Sequence, residues 1–295
     1  MFALLLLGAT GGCSPRTFIV QRVANVMSSG GEIVSTDDDP DLVREAAPFA
    51  LKAEEYVLSQ EPAHRGLLAS LSRGFTQYAS AFVLQDALEE RDRERADAGT
   101  DRAKRLLLRA KEYGMRGLEA AHPGFGNRLP ADPKAAAAMT GKEDVPLLFW
   151  TAASWSLSIS LSGVDPHMLA DLPRCESLMR RALALQENYD HGAIHEYFVA
   201  FEGGRPEAMG GSLDEAKRHF ERAMELGGGR KISPLVTFAE TVSVRTQDRQ
   251  EFLGLLSRAL AFDARGEAPE FRLANLLAQR KARWLMGRVD ELFLE

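Results

Sequence analysis

The sequence predicts an all-α protein built as an irregular array of helical hairpins, an α-solenoid. Three observations support this fold class. A stripe of small, large and small residues recurs at helical spacing, turns rich in Gly and Pro separate the stripes, and few segments alternate as a strand would. The composition, 45% hydrophobic and 26% charged over 295 residues, is that of an ordinary globular protein. No apolar run reaches the roughly 18 residues that suggest a membrane-spanning helix.

The repeated stripe is best seen in residues 211–226, GSLDEAKRHFERAMEL, where it consists of Ala216, Phe220 and Ala223. Offsets of four and then three residues place these side chains on one face of a helix. The small residues let a neighbouring helix approach closely, and the large one fills the space between. The same pattern recurs at Ala46, Ala50 and Ala53, at Ala103, Leu107 and Ala110, at Cys175, Met179 and Ala182, and more loosely at Phe252, Leu256 and Ala259.

Further helices are predicted between the stripes, and turn residues mark their ends. Asp39, Asp165 and Ser212 are typical of helix starts, and a proline follows each aspartate. The three glycines at 227–229 are typical of a helix end. A helix pair repeated about every 34–40 residues indicates an array of the tetratricopeptide (TPR) type. The additional helices are predicted at residues 17–29, 63–89, 145–162, 190–203 and 233–245.

The predicted TPR-like array spans residues 14–295 as one helical repeat domain. Its period is irregular, because residues 90–99 and 122–144 interrupt it as inserts and the first helix of the TPR motif is degenerate. The segment PEFRLANLLAQRKARWLM, residues 269–286, predicts a C-terminal capping helix over the open face of the last hairpin. The alternative is an irregular helical bundle in which the stripes match by chance.

Residues 1–13, MFALLLLGATGGC, are predicted to be a signal peptide that ends in a degenerate lipobox. Cys13 directly follows two glycines, as in bacterial lipoproteins whose cysteine carries the lipid anchor. Thr10 departs from that pattern, since an aliphatic residue is usual there, and no Lys or Arg precedes the apolar run. The alternative is a short buried or frayed N-terminal segment. With lipid on Cys13, Cys175 has no disulfide partner.

The charge pattern and the motifs argue against several classes of function. A net charge of −6 without a long basic run argues against a nucleic-acid partner. The sequence has no phosphate-binding glycine loop, nucleophile elbow or C-x-x-C pair, so we expect neither catalysis nor a cofactor. His191 and His195 are four residues apart, which would put both on one face of a helix. Zinc would need a third ligand from elsewhere, so no metal site is predicted.

The segment VPLLFWTAASWSLSISLSG, residues 145–163, carries no charge and predicts a helix that is buried on nearly all sides. The favoured interpretation is the central core helix of the array. The alternative is that one face lines a cavity for a mainly apolar ligand, because aromatic side chains with scattered hydroxyls suit such a pocket. That face would carry either Trp150 with Ser154, or Trp155 with Ser158 and Ser162. The candidate ligand-binding or pore-lining residues are therefore Trp150, Ser154, Trp155 and Ser158.

Three segments resemble the T component associated with TRAP transporters, a family of TPR-type periplasmic lipoproteins often called TatT. They are FWTAASWSLSISLS, HEYFVAFEGGRPEAMGGSLDEAKRHFERAMEL and NLLAQRKARWLM, and the resemblance spans about residues 18–287. It implies a non-enzymatic protein that faces the periplasm and is held at a membrane by lipid on Cys13. It also implies association with the extracytoplasmic solute-binding protein of a TRAP transporter, assembly as a homotrimer, and a channel or pocket for a hydrophobic ligand.

Two other classes of function stay open on the residues alone. A TPR lipoprotein would equally serve as a scaffold in envelope assembly or polysaccharide secretion, with no link to solute uptake. A helical enzyme with scattered catalytic residues would need titratable groups with shifted pKa values in one cleft, and the sequence shows no such cluster. The leading hypothesis is a binding and accessory protein of a periplasmic solute-uptake system.

Overall fold

The computed structural model describes residues 21–27, 34–163 and 165–294, and the regular structure in these ranges is entirely helical, which confirms the predicted fold class. Residues 21–27 form a short helix. The longer helices are α1 (Pro40–Gln60), α2 (Arg65–Tyr78, continued by Ala79–Leu84 and Gln85–Glu89), α3 (Arg93–Ala121), α4 (Phe125–Ala131), α5 (Pro133–Ala138), α6 (Val145–Ser160), α7 (Leu172–Leu185), α8 (Ala193–Gly203), α9 (Leu213–Leu226), α10 (Ser233–Phe238, continued by Ala239–Ser243 and Val244–Thr246), α11 (Arg249–Ala261) and α12 (Arg272–Met286). Single helical turns lie at Lys142–Asp144, Pro166–Leu169, Tyr189–Gly192, Glu207–Met209, Pro269–Phe271 and Val289–Leu292.

Neighbouring helices pack side by side as the hairpin array predicts. The pairs α1–α2, α2–α3, α6–α7, α8–α9, α10–α11 and α11–α12 are in contact, and α6 also packs along the long helix α3. One large core forms around α6, α7 and α8, and a second forms around α9 to α12. Burial of these apolar faces is the main favourable term that holds an array of amphipathic helices together.

Four of the five predicted stripes face a neighbouring helix, and one does not. The stripes in α3, α7 and α11 are fully buried, and in α9 both alanines are buried around a half-buried Phe220. The prediction for α1 is wrong, because Ala46 and Ala50 are exposed. This helix packs through Leu51 and Leu58 instead, which lie on a different face. Apolar residues run along two faces of α1, and the alanine spacing does not show which face has a partner.

The predicted helix boundaries are largely confirmed. The Asp39 carboxylate accepts two backbone N–H groups in the first turn of α1, and the Ser212 hydroxyl accepts one at the start of α9. Asp165 caps only the single turn that follows it, and α7 begins later, at Leu172. Gly228 and the next glycine adopt left-handed backbone angles, with φ of 59° and 70°, and end the connection after α9.

The two predicted inserts are themselves mostly helical. Residues 93–99 belong to the first two turns of α3, so the expectation of an insert at 90–99 is wrong for most of that stretch. Residues 122–144 form the short helices α4 and α5 and a tight turn. Asp92 caps α3 by accepting the backbone N–H of Arg95 at 2.9 Å, which explains why the helix begins there.

Both α2 and α10 contain a π-helical stretch, at Ala79–Leu84 and at Ala239–Ser243. Such stretches widen a helix by one residue in a turn and are frequent at functional sites. Both lie on helices that contact α12: Lys281 of α12 bonds Glu240 at 2.5 Å, and Arg280 bonds Glu89 beyond the first π stretch at 2.7 Å.

Helix α12 packs on the last hairpin, as predicted for a cap, and it also joins the array to its own beginning. The Trp284 indole Nε1 donates to the carbonyl oxygen of Leu88 at 3.1 Å, and Arg280 Nε donates to Glu89 Oε1 at 3.0 Å. We call this contact between α12 and the first hairpin the seam. The seam closes the described part of the array into a ring.

Candidate functional site

Helix α6 lies in the centre of the larger core, where two glycines of α3 allow it to approach closely. A Cβ atom added to Gly114 would lie 2.0 Å from Thr151 Oγ1, and one added to Gly117 would lie 2.4 Å from a methyl group of Leu147. Cβ atoms essentially never make contacts this short, so a side chain at either position would force its neighbour on α6 to move. The favoured interpretation of α6 as a core helix is therefore consistent with its packing.

Ser154 and Ser158 are fully buried on α6. The Ser154 hydroxyl donates to the carbonyl oxygen of Thr151 at 3.1 Å, and the Ser158 hydroxyl donates to that of Trp155 at 2.7 Å. These bonds within the helix satisfy the donors that burial removes from water. Both hydroxyls therefore lie in the packed core of the protein in this structure.

Trp155 is buried and connects α6 to two neighbouring helices. Its indole Nε1 donates to Asp171 Oδ2 at 3.2 Å, just before α7. The Lys111 ammonium of α3 lies 3.7 Å from the centre of the ring, close enough for a cation–π interaction. The pKa of Lys111 is lowered, because burial outweighs the opposing effect of Asp171. A lysine, an aromatic face and a carboxylate thus connect three helices.

Trp150 is the only one of the four candidate residues that keeps part of its side chain accessible. It meets Phe149 edge to face, with ring centres 4.8 Å apart, and the Phe149 ring in turn lies 5.3 Å from the ring of Tyr189. Burial raises the pKa of the Tyr189 phenol to about 12, so this hydroxyl stays protonated. The structure therefore places Trp150 in an aromatic cluster at the edge of the core, apart from Trp155 and the two serines.

Polar side chains connect successive helices on the side of α8 and α10. Glu196 accepts from Ser233 at 2.9 Å and from Thr237 at 3.2 Å, and Lys231 lies 3.4 Å from the same carboxylate. Burial lowers the pKa of Lys231, but Glu196 and Asp190 outweigh it, so the net pKa is raised and the amine is charged. This network fixes the relative position of two hairpins and was not evident in the sequence, because its members lie about 40 residues apart.

The two histidines that the sequence places together are separated in the structure. His191 precedes α8 in a left-handed backbone conformation, with φ of 53°, so the expected shared helical face does not exist. Its ring packs against Phe271, whereas His195 Nδ1 lies 2.8 Å from His219 Nδ1. In the three described ranges, no group of three or more His, Cys, Asp or Glu side chains is placed to hold a metal ion.

An exposed apolar stripe runs along α1 at intervals of seven residues. Leu42 is 57% exposed, Phe49 80% and Tyr56 73%, with Ala46 and Ala53 between them at heptad spacing. We call this row the α1 stripe. Heptad spacing of apolar residues is typical of a helix that packs against another helix. The sequence alone does not reveal this stripe, because the alanine spacing of α1 is equally typical of a buried face.

Cys13, the predicted lipid-attachment residue, lies outside the described residues. Among the described helices, none combines the length and the apolar character that crossing a bilayer would require.

Comparison with known proteins agrees with this architecture. The family model for the TRAP transporter T-component matches residues 36–293 of the chain. An uncharacterised protein of Treponema pallidum (strain Nichols) is 29% identical over 269 residues, which cover 89% of this chain and 83% of that protein. The family match runs from the turn before α1 to the last described helical turn, so it includes both cores and the seam. The chain therefore belongs to the TRAP transporter T-component family.

Proposed function

We propose that this protein is a non-enzymatic, lipid-anchored accessory component of a TRAP-type uptake system that binds the extracytoplasmic solute receptor in the periplasm. Membership in the T-component family makes it an accessory component of a TRAP transporter and is the observation that carries the proposal. An array of helical hairpins also supports this role, because such folds present extended surfaces for proteins and need no catalytic geometry.

The lipid anchor is proposed from Cys13 and the apolar residues before it. An acyl group on that cysteine would confine the protein to a membrane surface, where a freely diffusing receptor meets it at raised effective concentration. Mass spectrometry of the mature N-terminal peptide tests this directly. We expect diacylglyceryl-modified Cys13 as the first residue, and Cys13→Ser should leave the protein in the soluble fraction. An unmodified Cys13 in a membrane-free protein would contradict the anchor.

We propose that the homotrimer forms through the α1 stripe. A fully exposed aromatic side chain offers roughly 150–250 Å² of surface, so Phe49 and Tyr56 with Leu42 supply several hundred Å² per copy. Standard interfaces bury about 800 Å² per partner, so the stripe would form the centre of such an interface. The neighbouring charges, Glu45 and Lys52, have opposite signs and flank the stripe on one side.

An apolar ligand, as the family resemblance implies, is proposed to contact Trp150 first. The observations that support this position are its remaining exposure and the aromatic rings of Phe149 and Tyr189 beside it. Ser154, Trp155 and Ser158 would line a ligand path only if α6 moved away from its neighbours. Tryptophan fluorescence during titration with a fatty acid tests the position, since Trp150→Leu should remove most of the change.

The deciding experiment is a pull-down from envelope extract with the purified chain as bait, followed by mass spectrometry. Recovery of an extracytoplasmic solute receptor, confirmed by direct binding of that purified receptor, would establish the accessory role. Recovery of envelope-assembly proteins alone, with no receptor, would favour the scaffold function instead. Chain denatured and immobilised in the same way serves as the control for nonspecific capture.

A further inference from the structure

The seam encloses a cleft of about 370 Å³ that the repeat pattern does not explain. This volume is within the usual range for sites that bind small molecules. Three parts of the chain contribute: the start of α1, the π stretch of α2, and α12 with the loop before it. The residues that line the cleft are Pro40, Asp41, Arg44, Phe82, Arg265, Leu276, Arg280 and Arg283.

The lining of the cleft holds four guanidinium groups and one carboxylate, that of Asp41. Three of the four cations have ion-pair partners just outside the cleft, and for two of them these contacts are 2.8 Å or shorter. Arg44 and Arg280 share the carboxylate of Asp86, and Arg280 also contacts Glu89 at 2.7 Å. A guanidinium has five N–H donors, and Arg44 uses only one of its nitrogens, Nη2, for this contact. The two guanidinium groups therefore have more N–H donors than these carboxylates can accept.

The other two guanidinium groups form weaker ionic contacts with the protein, or none. Arg265 donates to the backbone carbonyl of Asp38 at 3.0 Å and approaches the carboxylate of the same residue at 3.5 Å, and both side chains are largely exposed. Arg283 is exposed and forms no ion pair with any residue in the described ranges. It lies one helical turn from Arg280 on the same face of α12, so both can contact one ligand.

The cleft also has an apolar side. Phe82 belongs to the π stretch of α2 and is buried, and Leu276 of α12 is half-buried. Leu276, Arg280 and Arg283 follow the spacing i, i+4 and i+7, so one face of α12 presents a hydrocarbon surface followed by two cations. A cationic rim next to an apolar wall suits a ligand with an anionic head and a hydrocarbon body.

We propose that the seam cleft binds a small organic carboxylate, with its carboxylate between Arg283 and Arg44 and its hydrocarbon body on Phe82 and Leu276. Arginine suits this role because its planar fork of donors matches a carboxylate in two parallel hydrogen bonds. Bound ligand would bridge α1 and α12 and thereby hold the ring closed. Binding at this site needs neither the solute receptor nor the lipid anchor, so its test does not depend on the proposed function.

Isothermal titration calorimetry of the purified chain with hexanoate tests the site, with hexanamide as the uncharged probe of matched shape. We expect saturable binding of hexanoate, at least tenfold weaker binding of hexanamide, and about tenfold weaker binding of hexanoate to Arg283→Gln. Arg258→Gln removes an equally exposed arginine of α11 that forms no ion pair in the described ranges, and it should leave the affinity unchanged.

A second comparison isolates the apolar wall. Acetate carries the same head without the hydrocarbon body, so it should bind at least tenfold more weakly than hexanoate, and Leu276→Ser should reduce this preference. The proposal is overturned if hexanoate gives no saturable heat, if Arg283→Gln and Arg258→Gln have equal effects, or if acetate binds as tightly as hexanoate. Circular dichroism of each variant confirms that its fold is intact before binding is compared.

Discussion

Replacing Gly114 with alanine tests how α6 is held in the centre of the protein. The added Cβ would lie 2.0 Å from Thr151 Oγ1, 3.0 Å from Thr151 Cβ and 3.0 Å from the hydroxyl oxygen of Ser72. Ordinary contacts at such a position begin near 3.4 Å, so the helices α2, α3 and α6 cannot keep their present spacing. A change of the Thr151 rotamer would relieve only part of the overlap, because Thr151 Cβ itself lies 3.0 Å from the added atom.

The expected cost follows from two opposing effects. Overpacking in a core costs about 1–3 kcal/mol, and the depth of this overlap places Gly114→Ala at the upper end. Alanine also favours the helix over glycine by about 1 kcal/mol, which offsets part of that cost. We therefore expect a net loss of about 2 kcal/mol in the free energy of unfolding. For a chain of 295 residues, with an unfolding entropy of about 2.1 cal/mol/K per residue, this corresponds to a decrease of about 3 °C in Tm.

Urea denaturation followed by circular dichroism measures this change, and Gly254→Ala provides the matched control. Gly254 lies within α11, and a Cβ there would meet nothing within 4 Å, so this variant should be more stable by about 0.5–1 kcal/mol. In a Thr151→Ala background, Gly114→Ala should cost less, because the nearest atom is gone. Equal effects of Gly114→Ala and Gly254→Ala would refute the close packing of α3 against α6.

Other regions yield predictions that need a single comparison each. Phe49→Glu should convert the proposed homotrimer to monomers in sedimentation velocity, because it places a charge in the α1 stripe; an unchanged mass would exclude that interface. Burial, and then His195, lower the pKa of His219 to about 4, below the unfolded value of about 6.5. Stability should therefore fall as the pH drops from about 6.5 to 4, by at most about 3 kcal/mol and in practice about 1–2 because the ring is partly exposed. His219→Phe should flatten this slope, and an identical slope would contradict the assignment. Arg280→Leu should lower stability by about 1 kcal/mol more than Arg258→Leu, since it breaks the seam; equal losses in thermal melts would argue against a stabilising seam.

The sequence predicts most helices because each one carries its own local information. Caps such as Ser212 and the buried stripe Ala216–Ala223 act within one or two turns, so their pattern suffices to place α9. The neutral segment at 145–163 likewise indicated a buried helix, and α6 is one. The sequence also indicates the family, because the segments that resemble the T-component family lie in these same helices.

What sequence reasoning missed depends on contacts between distant residues. The partner of α1 could not be chosen from the pattern, since Leu51 and Phe49 lie on different apolar faces and only the fold shows which is covered. The seam joins Arg280 to Glu89 across 191 positions, a pairing that no local spacing reveals. The predicted shared face of His191 and His195 is wrong for a different reason. The backbone adopts a left-handed conformation just before α8, so helical spacing does not apply to His191.

Closure of the array by the seam changes which helices unfold locally first. In an open solenoid the terminal repeats have one neighbour each and fray first, so local opening begins at the ends. Here Trp284 and Arg280 give the first hairpin a further neighbour, so amide hydrogens in α2 and α12 should exchange nearly as slowly as those in the middle. The same long-range contact delays assembly, since the ring stays open until α12 has been synthesised and can fold. Until then the first hairpin depends on its contacts with α3 and α6.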